Sequence, residues 1–215
     1  MRVKQHIDLF ERIAEPYGWF YVYQKRHYRR VVEAMGLKPG LNVLDLGAGT
    51  GAMASLINEE HDVLAVDGSK AMLRVMKRLD SRLNVALVDI TQTLPYADKQ
   101  FDVVLTSFVL HGLKAKDRLH VLNEMKRVAE LVIVYDYYGK RHFFTDIVEF
   151  VEQGDYFDFM KQFKGEFQSF FPEHAIFPIT SGSALYIGGF NEDTLITQQN
   201  TKVHQTSNEV HRASF

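Results

Sequence analysis

The chain has 215 residues, enough for one full domain core, with 46% apolar and 24% charged residues and a net charge of −2. That charge gives no global basic field for nucleic acid or anionic lipid. The absence of cysteine excludes disulfides, thiolate metal sites and a cysteine nucleophile.

Residues 1–18 alternate charge with apolar residues, which fits neither a signal peptide nor a membrane anchor. Val3, Ile7, Phe10 and Ala14 recur at helical spacing, so a helix is predicted over 3–14, broken by Pro16 and Gly18. A second helix is predicted over about 20–35. The basic lean of this region, from Arg2 and Lys4 to Lys25, Arg26, Arg29 and Arg30, is read as solvated helix faces. After the turn at Pro39-Gly40 the chain alternates. LNVLDLG, DVLAVDG, NVALVDI, FDVVLTSF and LVIVYDYY read as five strands separated by helices. Strands apolar on both faces between helices imply a parallel sheet covered on both sides, a doubly wound α/β fold. Beyond Gly139 an aromatic helical region precedes HAIFPIT and ALYIGGF, which flank Ser181-Gly182-Ser183 as a hairpin. The expected organisation is a single domain over 1–190: N-terminal helices 1–36, core 37–138, aromatic helical lid 139–172 and hairpin 173–190. Residues 191–215 read as a polar tail.

Val43-Leu44-Asp45-Leu46-Gly47-Ala48-Gly49-Thr50-Gly51 takes a strand through a glycine loop into a helix. Such a loop lets a ligand touch backbone, and the helix N-terminus offers free N–H groups. With Ala52 the loop also satisfies the dinucleotide pattern. Asp45 separates the readings, because a carboxylate there repels a pyrophosphate but attracts the ammonium and sulfonium of S-adenosylmethionine. The alternative is a helix-capping role. Asp67 follows Gly47 by 20 positions, the spacing of a ribose-hydroxyl acceptor, or it is a turn residue before Gly68. Asp89, taken as the end of the third strand, suits an adenine amino group with Ile90 on the ring, or is a solvated loop acid. Three acids ending successive strands share the carboxyl edge, where open α/β sheets bind ligands.

VLDLGAGTG, VDGSKAML, LVDITQTLPYADKQFDVVL and FVLHGL resemble the successive motifs of class I methyltransferases, in particular the ubiquinone/menaquinone C-methyltransferase-like group. The resemblance covers roughly residues 8–137. It implies S-adenosyl-L-methionine as cofactor and a seven-stranded sheet of order 3-2-1-4-5-7-6 with strand 7 antiparallel. It also implies that Asp45, Gly47, Ala48, Gly49 and Gly51 hold the methionyl part and Asp67 the ribose. Met72 would pack near the adenine, Asp89 and Ile90 would bind its edge and face, and Tyr17 would lie over the cofactor. Gly68 and Ser107 complete the expected set. The chain departs from the group in lacking a second His after His111 and in its aromatic insert before the hairpin.

His111, just past the fourth strand, is the candidate general base, with a structural histidine as the alternative. Asp136, Tyr137 and Tyr138 are further site candidates. No N/D-P-P-Y/F motif follows the fourth strand, which disfavours amino-methylating nucleic-acid enzymes. The nine histidines show no i, i+4 metal spacing, so no metal is expected. Tyr156, Phe159, Met160, Phe163, Phe167, Phe170 and Phe171 fall near one helical face, either packed on the sheet or forming a lid over an apolar acceptor. Tyr17, Trp19, Phe20, Tyr21 and Tyr23 could form its other wall. The resulting expectation is a cytoplasmic methyltransferase acting on O or C of a small apolar or aromatic acceptor, without membrane contact and with nucleic acid disfavoured. An RNA or protein methyltransferase, or a non-catalytic S-adenosylmethionine-binding protein, is the alternative.

Overall fold

The computed structural model describes residues 3–139 and 156–189. Two helices, α1 (Val3–Gly18) and α2 (Tyr21–Met35), precede an alternating core. The core runs β1 (Asn42–Leu46), α3 (Ala52–Ile57), β2 (Asp62–Asp67), α4 (Lys70–Leu79), β3 (Asn84–Leu87), β4 (Phe101–Ser107), α5 (Ala115–Val128) and β5 (Ala129–Tyr137). A 3₁₀ turn, Leu110–Gly112, lies between β4 and α5. Helix α6 (Tyr156–Phe170) then leads to the hairpin of β6 (His174–Thr180) and β7 (Ser183–Gly188). The sheet order is β3-β2-β1-β4-β5-β7-β6. Strands β1 to β5 pair in parallel, and β7 runs antiparallel between β5 and β6. This is the topology that the resemblance implied.

The strands are buried because they carry apolar side chains on both faces. One face packs Leu44, Leu46, Val104, Val132 and Val134 against α5 and α6. The other packs Val43, Val63, Val103, Leu131 and Ile133 against α2 and α3. Phe159, Phe163, Phe167 and Phe171 are at most 3% exposed. Each such buried side chain contributes about 1.5–3 kcal/mol. Most of the aromatic stripe is therefore core, as the simpler reading held. Arg118 fixes α6 to α5. Its buried guanidinium meets Glu166 at 2.6 and 2.7 Å, donates to the Leu113 carbonyl, and lies over the Phe159 ring. Residues 140–155 and the predicted tail lie outside the described residues.

Two local expectations need correction. Helix α1 does not stop before Pro16 but continues to Gly18. Proline removes the hydrogen bond to the Arg12 carbonyl, and Arg12 is exposed, so water can take that bond. Packing on α4 offsets the loss through Ala14 and Val75, with Gly18 pressed against Val75 and Glu15 paired to Arg78 at 2.7 Å. Strand β3 ends at Leu87, so Asp89 stands two residues beyond it. Among the described residues no helix is long and apolar enough to cross a membrane. Nor do these residues gather three or more His, Asp or Glu side chains able to hold a metal ion.

Candidate active site

The carboxyl edge of β1, β2 and β4 builds the site. Gly47 and Ala48 N–H groups both donate to the Val66 carbonyl, which turns the chain away from β1 against β2. Thr106 Oγ1 donates to the Leu46 carbonyl at 2.8 Å, tying the end of β4 to the end of β1. Val109 presses on Gly47, where a Cβ would lie 2.7 Å from Val109 Cγ2. The glycine loop and the turn carrying His111 are thus packed against each other. Gly49, by contrast, has φ +55° and faces open space, with no atom within 4 Å of a notional Cβ.

Asp45 sits beneath this loop, fully buried, and neither carboxylate oxygen has a hydrogen-bond partner. A buried charge without a partner is costly, so the group holds its proton instead. Desolvation, reinforced by the charge of Asp67, raises its pKa from 3.8 to about 7. Helix capping, the alternative for Asp45, is excluded, because its oxygens accept nothing. An orphaned carboxylate beside an open glycine loop fits a cationic ligand, and the ammonium and sulfonium of S-adenosylmethionine supply that charge.

Asp67 is already engaged. Its Oδ2 accepts from Gly49 N–H at 2.9 Å and its Oδ1 from Ser69 N–H at 2.8 Å. It therefore ties the glycine loop to the start of α4. Desolvation raises its pKa, against the lowering effect of these N–H groups. Asp67→Ala is expected to weaken cofactor binding by about 1.5–3 kcal/mol, the scale of a hydrogen bond to a charged group. It should also lower the melting temperature, since two N–H groups lose their acceptor. Calorimetry and thermal unfolding of one sample check both effects, and unchanged affinity would rule out the ribose assignment.

The other expected residues divide. Gly68 lies under Ile7 of α1, and Ser107 ends β4 at the same edge. Asp89 closes a tight turn, where its Oδ1 accepts from the Thr91 N–H and hydroxyl at 3.0 and 2.7 Å. Ile90 is partly buried against the core. Met72 is 1% exposed and packs with Ala14, Ala71 and Val75 between α1 and α4, so its side chain serves that helix pair. Tyr17 lies in α1, and its side chain is outside the described residues. Trp19, Phe20 and Tyr23, offered as a second wall, are instead 85%, 58% and 73% exposed.

His111 is buried, and its Nδ1 lies 2.8 Å from Asp136 Oδ1. Asp136 is itself fully buried and accepts from the N–H groups of Leu110, His111 and Tyr137. This carboxylate thus fixes both the 3₁₀ turn and the imidazole. The His111 ring lies among Tyr137, Phe159 and Phe108, with centroids 4.7, 6.2 and 6.3 Å away, and Tyr156 meets Tyr137 edge-on. Phe108 has φ +52°, a left-handed conformation that a bulky residue adopts only when its surroundings impose it. Its N–H donates to the Tyr135 carbonyl and its ring packs on Tyr135.

Sequence reasoning missed the support from the N-terminal helices. Gln24 accepts from Thr50 Oγ1 at 2.8 Å and Tyr21 donates to Ser55 at 2.9 Å, so α2 braces the glycine loop and α3. Glu11 of α1 accepts from Ala71 N–H and Ser69 Oγ at the start of α4. A chain of hydrogen bonds runs His27, Tyr135, Ser183 and Thr180. None of these pairings has a fixed sequence spacing that could have revealed it.

A methyltransferase domain family matches residues 43–130. Demethylmenaquinone methyltransferase of Renibacterium salmoninarum is 40% identical over 109 residues, covering 50% of this chain and 45% of that protein. The Bacillus cereus protein of the same name is 31% identical over 136 residues, covering 57% of this chain and 56% of its own. The chain thus spans about half the length of the curated relatives it matches. Among solved structures, an Aquifex aeolicus SAM-dependent methyltransferase has the same fold, with TM-score 0.57, 19% identity, and coverage of 74% of this chain and 87% of that one. A Haloferax volcanii structure, a methyltransferase complexed with the Trm112 activator, matches at TM-score 0.62 and 19% identity, over 83% and 96% of the two chains. Fold, glycine loop and domain match define the class. Residues 43–130 match a methyltransferase domain, and the seven-stranded fold is the Rossmann-like one of solved S-adenosylmethionine-dependent methyltransferases. The relatives it resembles at 40% and 31% identity both carry the name demethylmenaquinone methyltransferase.

Proposed function

We propose that this chain transfers a methyl group from S-adenosylmethionine to oxygen or carbon of a small apolar or aromatic acceptor, with His111 as general base. The observation that carries the reading is the His111–Asp136 dyad, set in an aromatic wall and packed beside the glycine loop. When bound, the cofactor supplies an electrophilic sulfonium methyl. Asp45 would hold its positive charge, the loop Gly47–Gly51 its methionyl part, and Asp67 its ribose. Gly68, Asp89, Ile90 and Ser107 would complete the cleft at the same strand edge. Asp136 takes Nδ1–H and so makes Nε2 the basic nitrogen of His111. Nε2 can then remove the proton of a phenol, an enol or an activated ring carbon as the methyl is transferred. Tyr137 and Phe108 would face a flat apolar acceptor, with buried Tyr156 and Phe159 backing Tyr137 and His111, and keep water out, so that positioning supplies much of the rate.

The relatives named for demethylmenaquinone support a hydroquinone-like acceptor of this kind. Labelled cofactor incubated with naphthohydroquinones, simple phenols, transfer RNA and a protein extract tests the reading. Label in a hydroquinone or phenol is expected. Label confined to RNA or protein would replace it.

Cofactor affinity should depend on pH through Asp45. Its raised pKa means that the folded, ligand-free chain keeps a proton which the unfolded chain loses near pH 4. This group's contribution to stability therefore declines as pH rises from about 4 to about 7. A cationic ligand needs the carboxylate, so binding should release a proton below about pH 7 and strengthen as pH rises through that value. Calorimetry at pH 6 in two buffers of different ionisation heat reads the released proton. Proton uptake, or affinity that falls with rising pH, would contradict the pairing.

A further inference from the structure

The start of α2 presents a surface that folding leaves unexplained. Trp19 is 85% exposed, Phe20 58%, Val22 76% and Tyr23 73%. Four large apolar side chains in five positions account for more than half of the exposed large apolar residues among those described. Single exposed apolar residues are ordinary, but a contiguous group marks an interaction surface. The helix continues this surface with charge. Val22, Arg26, Arg29 and Glu33 follow at i, i+4, i+7 and i+11, opposite the buried stripe of Tyr28, Val31 and Met35. Arg30 is exposed beside them. Lys25 is paired with Glu59, whereas no carboxylate forms an ion pair with Arg26, Arg29 or Arg30 among the described residues. Glu33 lies about 16 Å along the axis from Val22, at the far end of the helix.

We infer that this surface docks the protein on an anionic membrane, with Trp19, Phe20, Val22 and Tyr23 in the headgroup–acyl boundary and Arg26, Arg29 and Arg30 on the phosphates. Aromatic residues with a polar edge settle at that boundary, and nearby arginines are attracted by the negative surface. Solvated helix faces account for the arginines but not for four apolar neighbours. Nucleic acid would use the arginines but has no use for the aliphatic Val22. The surface is also coupled to the cleft. Tyr21 and Gln24, within the same turn, bond Ser55 and Thr50 at the glycine loop. Docking through this turn holds the cofactor loop beside the bilayer surface. Such docking needs no crossing helix, and none is present among the described residues. The inference rests on surface chemistry and stands whether or not the acceptor is a lipid.

Trp19 is the one tryptophan in the chain and reports directly. The full chain is mixed with vesicles of phosphatidylcholine alone or with 30% phosphatidylglycerol (about three lipids in ten, enough for a strong surface potential). Binding to the anionic vesicles, a blue shift of Trp19 emission and its quenching by brominated lipid are expected. R26Q/R29Q/R30Q should weaken vesicle binding about a hundredfold, since each arginine near such a surface contributes about fivefold. Phe20→Ser with Tyr23→Ser should weaken it by more than about tenfold while keeping the circular dichroism of the parent. Absence of binding or of any blue shift with anionic vesicles overturns the inference. So does tight binding of an RNA oligonucleotide that excludes the vesicles. A self-associated state that Phe20→Ser with Tyr23→Ser dissolves, without vesicle binding, overturns it as well.

Discussion

His111→Ala is expected to lower kcat by about 10²–10⁴-fold, the usual contribution of a positioned general base, while cofactor affinity stays close to that of the parent. The geometry separates the two effects. The imidazole is held by Asp136 and by aromatic rings, whereas the glycine loop is held by Val66, Asp67 and Gln24 through Thr50. The pH profile needs care, because Asp45 titrates near 7 in the free protein and would itself produce an acid limb in kcat/KM. The profile of kcat at saturating cofactor and acceptor avoids this, since Asp45 is then already paired. An acid limb present in the parent's profile and missing from the variant's would mark the imidazole as the base. Asp136→Asn separates positioning from catalysis. The amide cannot accept from Leu110, His111 and Tyr137 N–H groups and the imidazole together, so kcat and melting temperature should both fall. A His111→Ala protein with unchanged kcat, or with a large loss of cofactor affinity, would show the histidine to be structural.

What the sequence could reveal here follows from the range of each interaction. The five parallel strands were legible because each is a short apolar run, and local composition alone sets that pattern. Asp45 was legible because its position two residues before Gly47 is fixed by the strand-to-loop geometry. The end of β3 was not, since Val88 and Ile90 extend the apolar alternation while Asp89 folds back on Thr91. Pro16 misled for a related reason, because propensity favours a break and packing against Val75 overrides it. The burial of Met72 against Ala14 was not legible either, because it comes only with the docking of α1 on α4. The dyad was half legible. His111 and Asp136 were each picked out, but their bond joins residues 25 positions apart, through pairing of β4 with β5.

Gly49→Val should abolish cofactor binding in practical terms, by about 10²–10³-fold, in a protein that still folds. Gly49 adopts φ +55°, so any L side chain pays about 1–2 kcal/mol of backbone strain. Nothing within 4 Å would collide with its Cβ, so the fold itself loses little more than that. The valine would instead project into open space beside the loop, where the proposed function puts the cofactor. Gly51→Val provides the contrast. Its φ is +76°, but its Cβ would meet Met76 Cγ at 2.5 Å and Leu83 Cδ1 at 2.9 Å, both in the core. That variant should lose melting temperature first and affinity only as a consequence. Thermal unfolding with and without S-adenosylhomocysteine distinguishes the two. Gly49→Val should show a near-parental transition that the ligand no longer raises. Gly51→Val should show a strongly lowered transition that the ligand still raises where the chain remains folded. A Gly49→Val protein stabilised by the ligand as much as the parent would place the cofactor somewhere other than this loop.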